Sequence, residues 1–200
     1  MLLFSSFIVA LVVTMALIPP VMRVAERLSV VDISDERKVH TGAIPRLGGI
    51  AMIVGAILPV LLWLPMDATA VATLIALAVL LVFGAWDDSR DLDYRLKFLG
   101  QFAAVLLVIF VGDVKFAVFP FAGLDPVSNF LSGPVTILFL VGTTNAINLS
   151  DGLDGLAAGI SLLSLCVSAV LAYLGDGEDI VLVCFAVAGA IFGFLRYNTY

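Results

Sequence analysis

Charge is what this sequence has least of. Charged side chains make up 13% of its 200 residues, against about 25% in soluble domains. Hydrophobic residues reach 62% and mean hydropathy +1.17, where soluble chains hold about 45–50% apolar residues. That imbalance excludes a soluble enzyme. Disorder is excluded as well, because 14 Phe and long Leu/Val/Ala runs bury rather than solvate. Cysteine is nearly absent: Cys166 and Cys184 sit in apolar runs without metal-ligand spacing, so no disulfide framework is implied. Cations are in deficit too, and a net charge of −6 with a pI near 4.5 argues against nucleic acid. Before the first apolar run there is no basic stretch, and no small-residue cleavage site follows it, so it reads as a retained helix and not a signal peptide. Internal repeats, low-complexity tracts and a soluble domain are lacking as well.

What is there is apolar length. A membrane-spanning helix takes roughly 20 apolar residues, which leaves room for about six to eight. Uncharged stretches fall at Leu2–Met22, Gly48–Leu64, Ala68–Trp86, Phe98–Gly112, Leu131–Ile147, Leu156–Leu174 and Ile180–Leu195. The expectation is an all-α integral-membrane bundle of about seven spans, forming a single transmembrane domain over residues 1–200. The basic residues segregate: Arg23, Arg27, Arg37, Lys38 and Arg46 follow the first stretch, Arg90, Arg95 and Lys97 the third, Arg196 the seventh, and only Lys115 lies opposite. The positive-inside rule then puts the N-terminus outside and the loops at about 23–47, 87–97 and 148–155 in the cytoplasm. Alternation at Val114-Lys115-Phe116-Ala117-Val118-Phe119 predicts a small exterior hairpin near 114–121. No Asp, Glu, Lys, Arg or His falls inside any of the seven stretches. Ion-coupled transporters keep such groups at mid-membrane, so any chemistry belongs at the cytoplasmic interface.

Three constellations lie there. The first, Phe83-Gly84-Ala85-Trp86-Asp87-Asp88-Ser89-Arg90-Asp91-Leu92-Asp93, puts carboxylates three and four apart at a helix C-terminus, where like charges and the helix dipole both disfavour them. A divalent cation removes both penalties, and Mg2+ takes one or two carboxylates plus substrate phosphates. The plainer alternative is a solvated acidic turn, with Asp87 or Asp88 capping a following helix. The second, Asn145 to Gly159, packs Asn148, Asp151, Gly152, Asp154 and Gly155 into a short connection, more polar than a membrane turn requires. Its glycines let backbone approach a ligand closely. The alternative is an Asp cap with Gly/Ala helix packing. The third, Asp35 to Gly49, sets Arg37, Lys38 and His40 before the N-terminus of the second span, where an anion is favoured at lipid-phosphate depth. Its alternative is a set of cationic anchors.

In this order, R-K-x-H-x-G-x-x-P-x-x-G-G, D-D-x-x-D-L and N-x-x-N-x-x-D-G-x-D-G-L resemble the polyprenyl-phosphate N-acetylhexosamine-1-phosphate transferase superfamily, over about Arg23 to Tyr200. Arg37-Lys38-Val39-His40, and Asp91-Leu92 through Lys97 to Gln101, are more similar to the UDP-GlcNAc enzymes that initiate O-antigen, common-antigen or teichoic-acid synthesis than to the phospho-MurNAc-pentapeptide translocase. The resemblance implies transfer of a sugar-1-phosphate, GlcNAc-1-phosphate in that subgroup, from a UDP-sugar to undecaprenyl phosphate with release of UMP. It implies Mg2+, with Mn2+ as substitute, and a bacterial inner membrane. By resemblance Asp87 and Asp88 are the catalytic acids, and Arg37, Lys38 and His40 serve the lipid phosphate. Asn145, Asn148, Asp151, Asp154 and Lys97 serve the nucleotide sugar, and Asp88, Asp151 and Asp154 the metal. The implied partners are the UDP-sugar, undecaprenyl phosphate, membrane lipid and, among oligomers, a homodimer; nucleic acid is not one. The family's pattern continues to F-M-G-D-x-G-S and a His-rich loop, neither of which this chain contains. The expectation is therefore the N-terminal part of a larger transferase, inactive by itself, with a non-catalytic lipid-phosphate-binding protein as the alternative.

Overall fold

The computed structural model describes residues 1–27, 48–90, 92–117, 129–151 and 155–198, without the side chains of Glu26, Asp88, Ser89 and Asn129. Within these residues the chain is helical: α1 Leu2–Arg27, α2 Gly48–Trp63, α3 Ala68–Arg90, α4 Tyr94–Phe110, α5 Asn129–Ser150, α6 Leu156–Leu174 and α7 Glu178–Asn198. Each expected span has its helix. Five are long and apolar enough to cross a membrane, whereas α2 has 16 residues and α4 has 17. At 1.5 Å per residue those two reach only about 25 Å. The protein is a multi-pass membrane protein, and side chains such as Leu163, Val170 and Leu171 of α6 stand exposed, as a lipid-facing surface requires.

The chain divides into two compact units, residues 1–64 with 150–200, and residues 65–149. In the first, α1 and α7 run parallel in constant register. Phe7 meets Gly189, Leu11 meets Gly193, and Met15 meets Tyr197, each pair one turn after the last. The seam is made of small residues, with Ala10, Ala186 and Ala190 buried together. A Cβ on Gly189 would overlap the Phe7 carbonyl, and one on Gly193 would lie 2.9 Å from the Leu11 carbonyl oxygen. Without water to expel, membrane helices associate through such close backbone approach. The same residues of α1 also receive α2, whose Gly55 packs on Thr14 and Ala10 while Met52 and Ala56 close over the Ala10, Ala186 and Ala190 cluster. Pro19 and Pro20 lie inside α1. Lacking an N–H, Pro19 leaves the Met15 carbonyl without its intrahelical donor, and the Tyr197 hydroxyl donates to it at 3.2 Å.

In the second unit α4 returns antiparallel beside α3, and Val105, Ile109 and Val141 form a buried seam between α4 and α5. The Thr69 hydroxyl donates to the Gly112 carbonyl at 2.9 Å. The hairpin expected near 114–121 does not form over its described part. Residues 113–117 contain no strand. Instead the Phe116 N–H donates to Thr136 Oγ1 at 3.0 Å, and Ser132 Oγ donates to the Phe116 carbonyl at 2.6 Å. Two hydroxyls one turn apart on α5 thus satisfy the backbone groups that a partner strand would have taken. Phe116 also stacks edge-on against Phe139, ring centroids 5.1 Å apart. Residues 118–121 lie outside the described part. At this end Lys115 donates to Asp113 at 2.7 Å, which holds the Asp113 carboxyl below its ordinary range.

Candidate active site

The first constellation ends α3. The helix continues through Asp87 and Asp88 to Arg90, so the carboxylates do fall in its last turn, where the dipole disfavours them. A close approach of α3 and α4 governs the local geometry. A Cβ on Gly100 would come within 2.5 Å of the Phe83 ring, so only glycine there lets α4 lie this near. Phe83 is one turn before Asp87, and Gly100 three residues after Lys97. The result is an ion pair between Asp87 Oδ2 and Lys97 Nζ at 2.9 Å, with side chains 26% and 36% exposed. The other oxygen, Oδ1, accepts the Leu92 backbone N–H at 3.0 Å. Together these two contacts offset the penalty of an anion at a helix C-terminus.

Asp87, whose Oδ1 takes the Leu92 N–H, does not cap the following helix. The N-cap of α4 is Asp93, which makes no side-chain cap bond, and its carbonyl accepts the N–H groups of Leu96 and Lys97 at 2.9 and 3.3 Å. The side chain of Asp88 lies outside the described part, as does Asp91.

Along α4, one turn after Lys97, Gln101 faces α5. Its Oε1 accepts from Asn145 Nδ2 at 2.7 Å, and its Nε2 donates to Asn145 Oδ1 at 3.5 Å. Asn145 Nδ2 also donates to the Val141 carbonyl at 2.8 Å. Lys97 and Gln101 share a face of α4 by their i, i+4 spacing, so one helix face serves Asp87 on α3 and Asn145 on α5. Asn148 follows in the last turn of α5, exposed, and Asp151 stands exposed in the turn beyond it.

Gly155, at φ +74°, occupies the N-cap position of α6 with no side-chain cap bond. That left-handed backbone favours glycine, and it replaces the Asp cap weighed for this turn. The Gly/Ala packing weighed beside it is also missing at Gly159, whose added Cβ would meet nothing within 4 Å. Arg37, Lys38, His40 and Asp154 lie outside the described residues. Among the described residues no three His, Cys, Asp or Glu side chains gather as a metal cage. Sequence inspection missed the Leu92 N–H and the pairing of Gln101 with Asn145. The signal for the second was the continuation of Lys97, Gln101, Val105 and Ile109 along one stripe of α4.

Residues 70–200 match the model of the family described as Glycosyl transferase family 4. The chain is 35% identical over 195 residues to the probable undecaprenyl-phosphate N-acetylglucosaminyl 1-phosphate transferase of Bacillus subtilis (strain 168), covering 96% of this chain and 54% of the relative. It is 34% identical over 212 residues to the decaprenyl-phosphate N-acetylglucosaminephosphotransferase of Mycobacterium tuberculosis (strain ATCC 25618 / H37Rv), covering 94% and 52%. It is 33% identical over 179 residues to the phospho-N-acetylmuramoyl-pentapeptide-transferase of Rubrobacter xylanophilus (strain DSM 9941 / JCM 11954 / NBRC 16129 / PRD-1), covering 78% and 53%. The chain spans about half the length of these curated relatives.

Proposed function

The chain belongs to glycosyl transferase family 4, and from that premise we propose that the protein transfers GlcNAc-1-phosphate from UDP-GlcNAc to undecaprenyl phosphate, beginning a cell-envelope polysaccharide at the cytoplasmic face of a bacterial inner membrane. The observation that carries this is the ion pair of Asp87 and Lys97, with a carboxylate and a fixed cation together at the interfacial end of α3 and α4. GlcNAc is favoured over a MurNAc peptide because the GlcNAc-named relatives match 87–96% of the chain and the MurNAc-named ones 78%.

In this reaction a phosphate oxygen of the polyprenyl phosphate attacks the β-phosphorus of UDP-GlcNAc. The bond from that phosphorus to the bridging oxygen breaks, and UMP leaves with the electron pair. Two anions must meet, so the protein's task is neutralisation and alignment. Arg37, Lys38 and His40 would hold the lipid phosphate before α2. Asp87 and Asp88 would be the catalytic acids, one taking the last proton of the lipid phosphate. Lys97, whose ammonium has N–H groups beyond the one on Asp87, would reach the diphosphate. Asn148, Asp151 and Asp154 would serve the nucleotide sugar. The candidate donors are hard carboxylate oxygens, which suit Mg2+ or Mn2+, and Asp88, Asp151 and Asp154 would supply them. Such a cation offsets the diphosphate charge.

The test is product release from membranes containing the protein. UMP should appear only when UDP-GlcNAc, undecaprenyl phosphate and a divalent cation are all present, and EDTA should abolish it. Release that ignores the lipid phosphate would overturn the proposal.

A further inference from the structure

Asn145 belongs by motif with the residues that meet the nucleotide sugar, but its amide is already occupied. Both Nδ2 hydrogens are used, one by Gln101 Oε1 at 2.7 Å and one by the Val141 carbonyl at 2.8 Å. Oδ1 faces Gln101 Nε2 at 3.5 Å. An Asn binds ligands through paired donor and acceptor, and here no donor is left. The pair also has a distinct place in the packing. Val105 and Ile109 follow Gln101 at four-residue steps on α4, and Val141 precedes Asn145 by four on α5, all three buried. Gln101 and Asn145 are thus the last rung of that seam on the active-site side. Its other rungs are aliphatic contacts, which tolerate sliding. A two-way amide contact is directional and sets register, as a single polar rung does in a coiled coil.

We infer that Gln101 and Asn145 are positioning residues, a clamp between α4 and α5 that holds Asn148 in register with Lys97, and that Asn145 does not contact the nucleotide sugar. This rests on the proposed transferase reaction for its functional meaning. Because α4 carries Lys97 one turn before Gln101, a single helix face sets both the Asp87 pair and the end of α5. Loosening the clamp misplaces Asn148 without removing any group from the substrate.

The experiment is a double-mutant cycle on the full enzyme with Gln101→Leu, Asn145→Leu and the pair together, plus the exchange Gln101→Asn/Asn145→Gln, which keeps the summed side-chain length. Each single Leu variant should lower kcat by about 10-fold to about 10²-fold, the scale of a small misplacement, with the KM for UDP-GlcNAc within about 2-fold. The double Leu variant should be no worse than the lower single, since one interaction is removed only once. The exchange should recover most of the rate. A large rise in KM for UDP-GlcNAc confined to the Asn145 variants, with additive losses and no recovery on exchange, would overturn the inference. Thermal unfolding of the same set in detergent should show the same non-additivity, and additive melting shifts would likewise overturn the clamp. A wild-type enzyme that releases no UMP would sink the transferase proposal while the melting cycle still decides the clamp.

Discussion

At the residue scale, magnitudes separate the structural role of Asp87 from the catalytic one proposed for it. As a structural group it closes the turn to Leu92 and pairs with a partly exposed Lys97. Such pairs contribute at most about 1 kcal/mol. In the proposed role of catalytic acid, its loss would cost at least about 10²-fold in turnover, about 2.7 kcal/mol of barrier. Asp87→Asn keeps an oxygen for the Leu92 N–H and loses the charge. It should therefore cut UMP release at least about 10²-fold while shifting the melting temperature little, and Asp88→Asn should do the same to the rate. Near-normal turnover at saturating Mg2+ would reduce that aspartate to a structural acid. Tyr197 offers a second test. Tyr197→Phe removes the donor to the carbonyl that Pro19 orphans and should cost about 1 kcal/mol of stability. In a Pro19→Ala background, where the helix regains its own N–H, the same change should cost almost nothing. An undiminished cost there would detach Tyr197 from the proline. The acidic pair was legible from spacing and Lys97 from family resemblance. The Gln101–Asn145 contact was not, because its partners lie 44 residues apart and only tertiary packing joins them.

At the element scale, apolar windows located each of the seven described helices but cut several short. Charge ends a membrane span, not a backbone hydrogen-bond ladder, so α1 runs on to Arg27, α3 to Arg90, and α4 begins at Tyr94 ahead of Arg95 and Lys97. Those overhangs matter, since Asp87 and Lys97 stand on them. The strand-like alternation at 114–117 failed for a different reason, because hydroxyls on α5 were available to take the Phe116 backbone groups. Small-residue motifs needed the structure to sort them. The Gly/Ala packing weighed for the connection before α6 leaves Gly159 facing open space, whereas Gly189 and Gly193 of α7 seat α1. Gly189→Ala should destabilise by about 1–3 kcal/mol, the usual cost of overpacking. Gly159→Ala, which meets open space in the first turn of α6, should be neutral or gain up to about 1 kcal/mol. Thermal unfolding in detergent compares them, and equal effects would contradict the assignment of the seam.

For the whole molecule, nothing in the composition marks the joins between the two compact units, since every segment is apolar and no linker stands out. The sequence sets an expected orientation, because nine of ten basic residues fall in alternate loops. In the first unit the ends of α1 and α7 that carry Arg23, Arg27 and Arg196 point the same way, as their parallel register requires. Single cysteines at Ser34, Ser89 and Ser150 should resist an impermeant thiol reagent in intact cells, whereas one at Ser128 should react. Labelling of Ser89 from outside would reverse the topology and deny the site a cytosolic nucleotide sugar.

The central claim is that the bond broken lies between the two phosphates of the nucleotide sugar and not between sugar and phosphate. Supplying UDP-GlcNAc labelled with 32P at the β-phosphate, together with undecaprenyl phosphate and Mg2+, follows that bond directly. Transfer of GlcNAc-1-phosphate carries the label into the lipid and leaves unlabelled UMP; label retained in UDP, with an unlabelled glycolipid, would mean simple sugar transfer and would contradict the account.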